Sequence, residues 1–142
     1  MDQKAIRRKD FDHLTTIESR WRDMDGMRHI NHATYLAYLE TARLKYLASL
    51  CLNVSDWEAD KSVILGSMKI DYIQQSTHPN TYEIGNRIIR LGKKSFDLFS
   101  AIFEAGNEIP VVIGTFTLIT FNYGTQETIF VPDIIRKGFK PF

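Results

Sequence analysis

The rhythm of hydrophobic and polar positions changes twice along the chain. From His13 to Arg22, HLTTIESRWR alternates: Leu14, Thr16, Glu18 and Arg20 fall on one face, and Thr15, Ile17, Ser19 and Trp21 on the other. This period of two, rich in β-branched residues, predicts a strand. From Ala33 to Leu52 the spacing lengthens to threes and fours, through Tyr35, Leu36, Leu39, Ala42, Tyr46, Leu47 and Leu50. No glycine or proline interrupts that stretch, and good helix formers dominate it. Leu44 and Ala48 widen the apolar stripe, so the predicted helix is covered on most sides. Asn31 or His32 stands at its N-cap, and Asn53 is placed to close its far end.

After a connection over Val54–Lys61, period two returns in four long segments: SVILGSMKIDYIQQST, TYEIGNRIIRLGK, SFDLFSAIFEAG and EIPVVIGTFTLITFN. His78-Pro79-Asn80, Gly92-Lys93-Lys94 and Gly106-Asn107 separate them as turns. Gly66 and Gly114 mark bends or bulges, and Pro110 an edge or strand start. The tail PDIIRKGFKPF opens with one helical turn at Pro132. The order strand, long helix, four strands predicts an α+β domain over residues 1–142, an antiparallel sheet with one helix packed on it. One helix covers one face, so the other face or the edges call for self-association.

Bulk properties narrow the partners. The 142 residues suffice for one core; 44% are hydrophobic and 25% charged, as in soluble globular proteins. The formal charge of +1 gives no global attraction for nucleic acid, so an anionic ligand needs a local basic cluster. With the single cysteine Cys51 there is no internal disulfide, which suits a reducing, cytoplasmic setting. Cys51 itself reads as a packed small apolar residue. No apolar run approaches the ~20 residues that cross a bilayer. The charged start, MDQKAIRRKD, lacks the apolar core of a secretory signal and reads as a mostly solvated lead-in.

The chemistry concentrates just before the helix, in DMDGMRHINHATYL, Asp23 to Leu36. The first turn of a helix carries backbone N–H groups with no internal partner, at the positive end of its dipole. Such a site stabilises an anion, including the oxyanion formed when a carbonyl is attacked. A carboxylate beside it, Asp23 or Asp25, can serve as general base or nucleophile. The plainer reading is a capping loop: acids complement the dipole, and Asn31 is most simply a cap. Arg28 either reaches solvent or pairs with Asp23. His29 and His32 have a spacing that zinc can use, but no further ligand is in view, so no metal is expected. No cofactor is implied. Arg87 and Arg90, three apart, point to opposite faces of a regular strand.

RWRDMDGMRHINHATYLAYLETAR resembles the hotdog-fold acyl-CoA thioesterases of the 4-hydroxybenzoyl-CoA thioesterase type. The matching residues are Asp23, Asp25, His29, Asn31, Ala33, Tyr35, Glu40, Ala42 and Arg43, and LGKKSF, Leu91–Phe96, matches a later segment. The resemblance extends over nearly all the chain. It implies a sheet of five to six strands wrapped around one central helix, in protomers that pair edge to edge as a homodimer or homotetramer. It implies hydrolysis of an acyl-CoA thioester with Asp25 as nucleophile or general base. The amides near His32 and Ala33 would polarise the carbonyl, and Asn31 and Tyr35 would shape the site. Lys93, Lys94 and Ser95 would face the nucleotide phosphates of coenzyme A. His32 departs from the pattern, standing where relatives often carry a second asparagine. An acyl-carrier-protein thioesterase and a non-catalytic acyl-binding protein are the alternatives.

Overall fold

The computed structural model describes residues 2–53 and 60–142; most of the Val54–Lys61 connection lies outside the described residues. Strand β1 (His13–Glu18) is followed by helix α1 (His32–Ser49). Then come β2 (Lys61–Tyr72), β3 (Thr81–Leu91), β4 (Ser95–Glu104), β5 (Val112–Asn122), the short β6 (Glu127–Thr128) and the one-turn helix α2 (Asp133–Arg136). The strands form one antiparallel sheet in the order β1-β3-β4-β5-β2, with β6 on the end of β5. The sheet curls around α1, as expected of an α+β chain with a single long helix. Leu39 and Leu47 of α1 are fully buried against Ile84, Ile88, Leu98 and Ile102. β1 stops at Glu18, four residues short of its predicted end, because Trp21–Asp23 turns into a 3-10 helix and leaves Trp21 78% exposed. The helix closes on Cys51, left-handed at φ 67°, ahead of Asn53; Cys51 is exposed, contrary to its expected packing.

Two predicted irregularities resolve differently. Gly66 sits at a bulge, where the β2–β5 register shifts between Leu65 and Ser67. Gly114 does not: it pairs regularly with Ile70 and Ser100, and a Cβ there would meet Ile70 Cδ1 at 2.7 Å. A bulge that the sequence did not announce shifts the β3–β4 register between Ile88 and Arg90. The extra residue restores Arg87 and Arg90 to one face, opposite Phe99 and Asp97, instead of the two faces a regular strand would give.

The chain's own ends pack on the outer face of the sheet. Ile6 and Phe11 are buried with Phe99, Phe103 and Ile113. The N-terminal segment is therefore packed and not a solvated lead-in. Arg8 fixes it, with its guanidinium over the Phe103 ring and an ion pair to Glu83 at 3.1 Å. The C-terminal tail is held by Arg87, which donates to the carbonyls of Lys140 and Pro141 and lies 3.8 Å from the centroid of Phe142. Among the described residues the far edge of β2 pairs with no strand, and Ile64, Leu65, Met68 and Tyr72 there are 36–49% exposed.

Candidate active site

The loop between β1 and α1 is built around Asp23. The residue is 2% exposed, and its side chain accepts from the Arg20 N–H at 2.8 Å, the Arg20 guanidinium at 3.1 Å and the Tyr38 hydroxyl at 2.5 Å. Burial alone would raise its pKa, but these donors outweigh burial and hold the carboxyl below its ordinary 3.8. Burial, and then the bond to Asp23, push Tyr38 upward, so the phenol keeps its proton. The Asp23 carbonyl accepts from Asn31 N–H at 2.8 Å, and Met24 bridges Ile30. These contacts fold the loop back on itself and bring Asp25 alongside the start of α1. Arg28 makes no pair with Asp23: Arg20 has that place, and Arg28 is exposed, at a left-handed φ of 63°.

A second loop, 73–80, braces the first. The Ser76 carbonyl accepts from Ile30 N–H at 2.8 Å, and Thr77 Oγ1 donates to the Arg28 carbonyl at 2.8 Å. Between the two loops lies an open cleft of about 390 Å³, lined by Asp25, His29, His32, Tyr35, Tyr72 and Ser76 among others. Asp25 is partly exposed there, and among the described residues its Oδ1 accepts only from Met27 N–H, at 2.9 Å. Its other oxygen has no hydrogen-bond partner among the described residues, as a base or nucleophile requires. Tyr35 is 4% exposed; burial pushes its pKa up, and it stays a neutral phenol. Among the described residues no group of three His, Cys, Asp or Glu side chains is placed to hold a metal ion.

The expected residues divide into three groups. Asp25, His32 and Tyr35 share the cleft. Asn31 and Ala33 form the cap: Asn31 Oδ1 accepts from Ala33 N–H at 2.8 Å. That amide is spoken for, so the structure does not leave Ala33 as a carbonyl donor. The His32 N–H, one residue earlier, has no acceptor among the described residues. Lys93, Lys94 and Ser95 lie elsewhere. The Lys94 carbonyl accepts from Thr120 N–H, and Thr120 pairs with Val63, nine residues along β2 from Tyr72 at the cleft. At about 3.3 Å per residue the basic turn is roughly 30 Å from the cleft of its own chain. Ser95 Oγ accepts from Arg90 at 3.1 Å, and Arg90 is gripped by both Asp97 oxygens, at 2.8 and 2.9 Å. Sequence reasoning missed Tyr38, Ser76 and Thr77, which hold the loop in place. Only Tyr38, on the helix face that turns toward the loop, left a trace in the spacing.

A sheet curled around one helix, with an acid-bearing loop at the helix start, now meets the comparisons with known proteins. The family model of the thioesterase-like superfamily matches residues 19–139. The chain belongs to this superfamily. The fold it shares is that of solved structures. The PA5185 protein of Pseudomonas aeruginosa strain PAO1 is 26% identical, with 94% of this chain and 93% of that one covered at a TM-score of 0.85. The PA2801 protein of Pseudomonas aeruginosa, a putative thioesterase, is 26% identical, with 89% and 97% covered at 0.82. A DHNA-CoA thioesterase of Staphylococcus aureus is 23% identical, with 82% and 78% covered at 0.74. No curated protein matches the chain in sequence. The hotdog fold and the thioesterase kinship implied by the resemblance thus hold for this superfamily member, and they support thioesterase activity in general terms. No helix among the described residues is long and apolar enough to cross a membrane.

Proposed function

We propose that the protein hydrolyses an acyl-CoA thioester to the free acid and coenzyme A. The observation that carries this reading is the Asp25 carboxylate, held by the Met27 N–H alone among the described residues, in a cleft shared with His32, whose backbone N–H opens the helix with no acceptor among them. The carbonyl oxygen of the thioester accepts from the His32 amide, which the helix dipole reinforces as negative charge develops. Asp25 draws a proton from a water that attacks the carbonyl carbon, or attacks that carbon itself to give a mixed anhydride that water then cleaves to the free acid and the restored Asp25 carboxylate; in either route the thiolate of coenzyme A leaves and takes up a proton. Tyr35 bounds the acyl side of the cleft.

The site is completed by a second copy. The outer edge of β2, twelve residues long, pairs with no other strand among the described residues and exposes Ile64, Leu65, Met68 and Tyr72. Antiparallel pairing of two such edges about a two-fold axis aligns the Tyr72 end of one strand with the Lys61 end of the other. That pairing carries the partner's Lys93–Lys94 turn toward the cleft, closing the roughly 30 Å gap that separates them within one chain. With both termini on the outer sheet face, edge pairing leaves a homodimer as the assembly. A reducing, cytoplasmic setting suits the exposed Cys51 thiol.

The test is release of free thiol from a panel of aromatic, medium-chain and long-chain acyl-CoA thioesters. Turnover of at least one class is the expected result; stabilisation by coenzyme A without any turnover would favour an acyl-binding protein instead.

A further inference from the structure

Arg28 has a φ of 63°, in the left-handed region that a residue with a Cβ avoids. It ends a turn that begins at Asp25. The Arg28 N–H donates to the Asp25 carbonyl at 3.0 Å, and the Met27 N–H to Asp25 Oδ1 at 2.9 Å. Little packing holds this shape: Gly26, Met27 and Arg28 are exposed, and a Cβ at Gly26 would meet nothing within 4 Å. The form of the turn rests on hydrogen bonds, and the Asp25 carboxylate is one of their acceptors.

Among the described residues one side chain from outside the loop bonds to this turn. It is Thr77, whose Oγ1 donates to the Arg28 carbonyl at 2.8 Å. Thr77 is exposed, yet both of its neighbours are anchored. Ser76 is 5% exposed, shares a hydrogen bond of 2.6 Å with the Tyr82 hydroxyl, and accepts from Ile30 N–H through its carbonyl. His78 Nδ1 lies 2.6 Å from Ser19 Oγ, which also accepts from the Asn80 N–H at 2.9 Å. The Thr77 hydroxyl is therefore a fixed peg, held on one side by the core through Tyr82 and on the other by the residue that follows β1. A strained conformation persists where its surroundings over-determine it, and such positions cluster at functional sites.

We propose that Thr77 is a positioning residue for Asp25: its bond to the Arg28 carbonyl keeps Arg28 left-handed and so fixes the turn that carries the carboxylate in the cleft. Without that bond Arg28 relaxes toward negative φ, the turn opens and the Met27 N–H leaves Oδ1. The carboxylate then samples orientations away from the thioester carbonyl, which lowers kcat and leaves the bound ground state largely unchanged. This assignment rests on the hydrolase reading above.

The test is Thr77→Val, which keeps the shape and removes the donor, on the acyl-CoA turned over best. kcat falls about 10–100-fold, with KM and melting temperature near those of the wild type. Thr77→Ser, which keeps the hydroxyl, restores it. Adding Arg28→Gly to Thr77→Val also recovers kcat, since glycine takes a positive φ unaided; adding Arg28→Ala, which keeps the Cβ, does not. Amide NMR reads the same turn without turnover. In Thr77→Val the Met27 N–H exchanges with solvent faster than in the wild type, and Arg28→Gly protects it again. Those amide results in a protein that hydrolyses no thioester would uphold the role of Thr77 and overturn the hydrolase reading alone. Wild-type kcat or an unchanged Met27 amide in Thr77→Val, or a kcat that Arg28→Ala recovers as fully as Arg28→Gly, would overturn the role of Thr77 and leave the hydrolase reading to its own test.

Discussion

Asp25→Asn is expected to lower turnover about 10²–10⁴-fold with little change in melting temperature. The two halves of this expectation have separate physical sources. The structural duty of Asp25 is slight: one oxygen accepts from Met27 N–H, and an asparagine carbonyl does the same. The catalytic duty proposed for it needs the negative charge, which the amide lacks, so the variant engages neither a proton nor a carbonyl carbon. Steady-state kinetics on the acyl-CoA turned over best, with a thermal melt of the same sample, separate the halves. Wild-type turnover in the folded variant would remove Asp25 from the reaction.

Asp23→Ala should do the reverse, acting on the fold and through it on activity. It removes the acceptor of a buried phenol and of the Arg20 amide, leaving Tyr38 hydroxyl without its partner in the core. A loss of about 3 kcal/mol is expected, or roughly 10 °C in melting temperature for a domain of this size, at fixed protein concentration. The effect depends on pH in a defined direction. Because the folded carboxyl titrates below its ordinary 3.8, the stabilisation is fully present above that value. It is lost as pH falls through the lower, folded pKa. The gap in unfolding free energy between wild type and Asp23→Ala should therefore be constant near neutrality and narrow in acid. Urea titrations across that range measure it; a gap that widened toward low pH would contradict the assigned ionisation.

The two aspartates, two residues apart in DMD, show what the sequence could and could not reveal. Each stood before a helix start and each was a fair candidate for cap, base or nucleophile. Only the tertiary structure separates them, because the deciding partner of Asp23 is Tyr38, on the far side of the loop. The helix and strand order was legible because period and turn residues are local properties, and Asn31 carried its cap in its identity. The covering of the outer sheet face was not legible. Ile6 and Phe11 are single apolar residues in a charged run and create no period, yet both are buried. The shared face of Arg87 and Arg90 depends on the bulge before Arg90, which no glycine marks. Likewise the cap took the Ala33 amide and left that of His32, a choice that depends on which way one side chain turns.

The central claim is that Asp25 and the His32 amide act on the same carbonyl. A crystal structure of the protein with an unreactive thioether or amide analogue of an acyl-CoA tests it most directly. The account predicts the carbonyl oxygen about 2.7–3.1 Å from the His32 nitrogen, with the Asp25 carboxylate facing the carbonyl carbon directly or through one water. An analogue bound with its carbonyl away from that helix end, or Asp25 turned from it into solvent, would contradict the account.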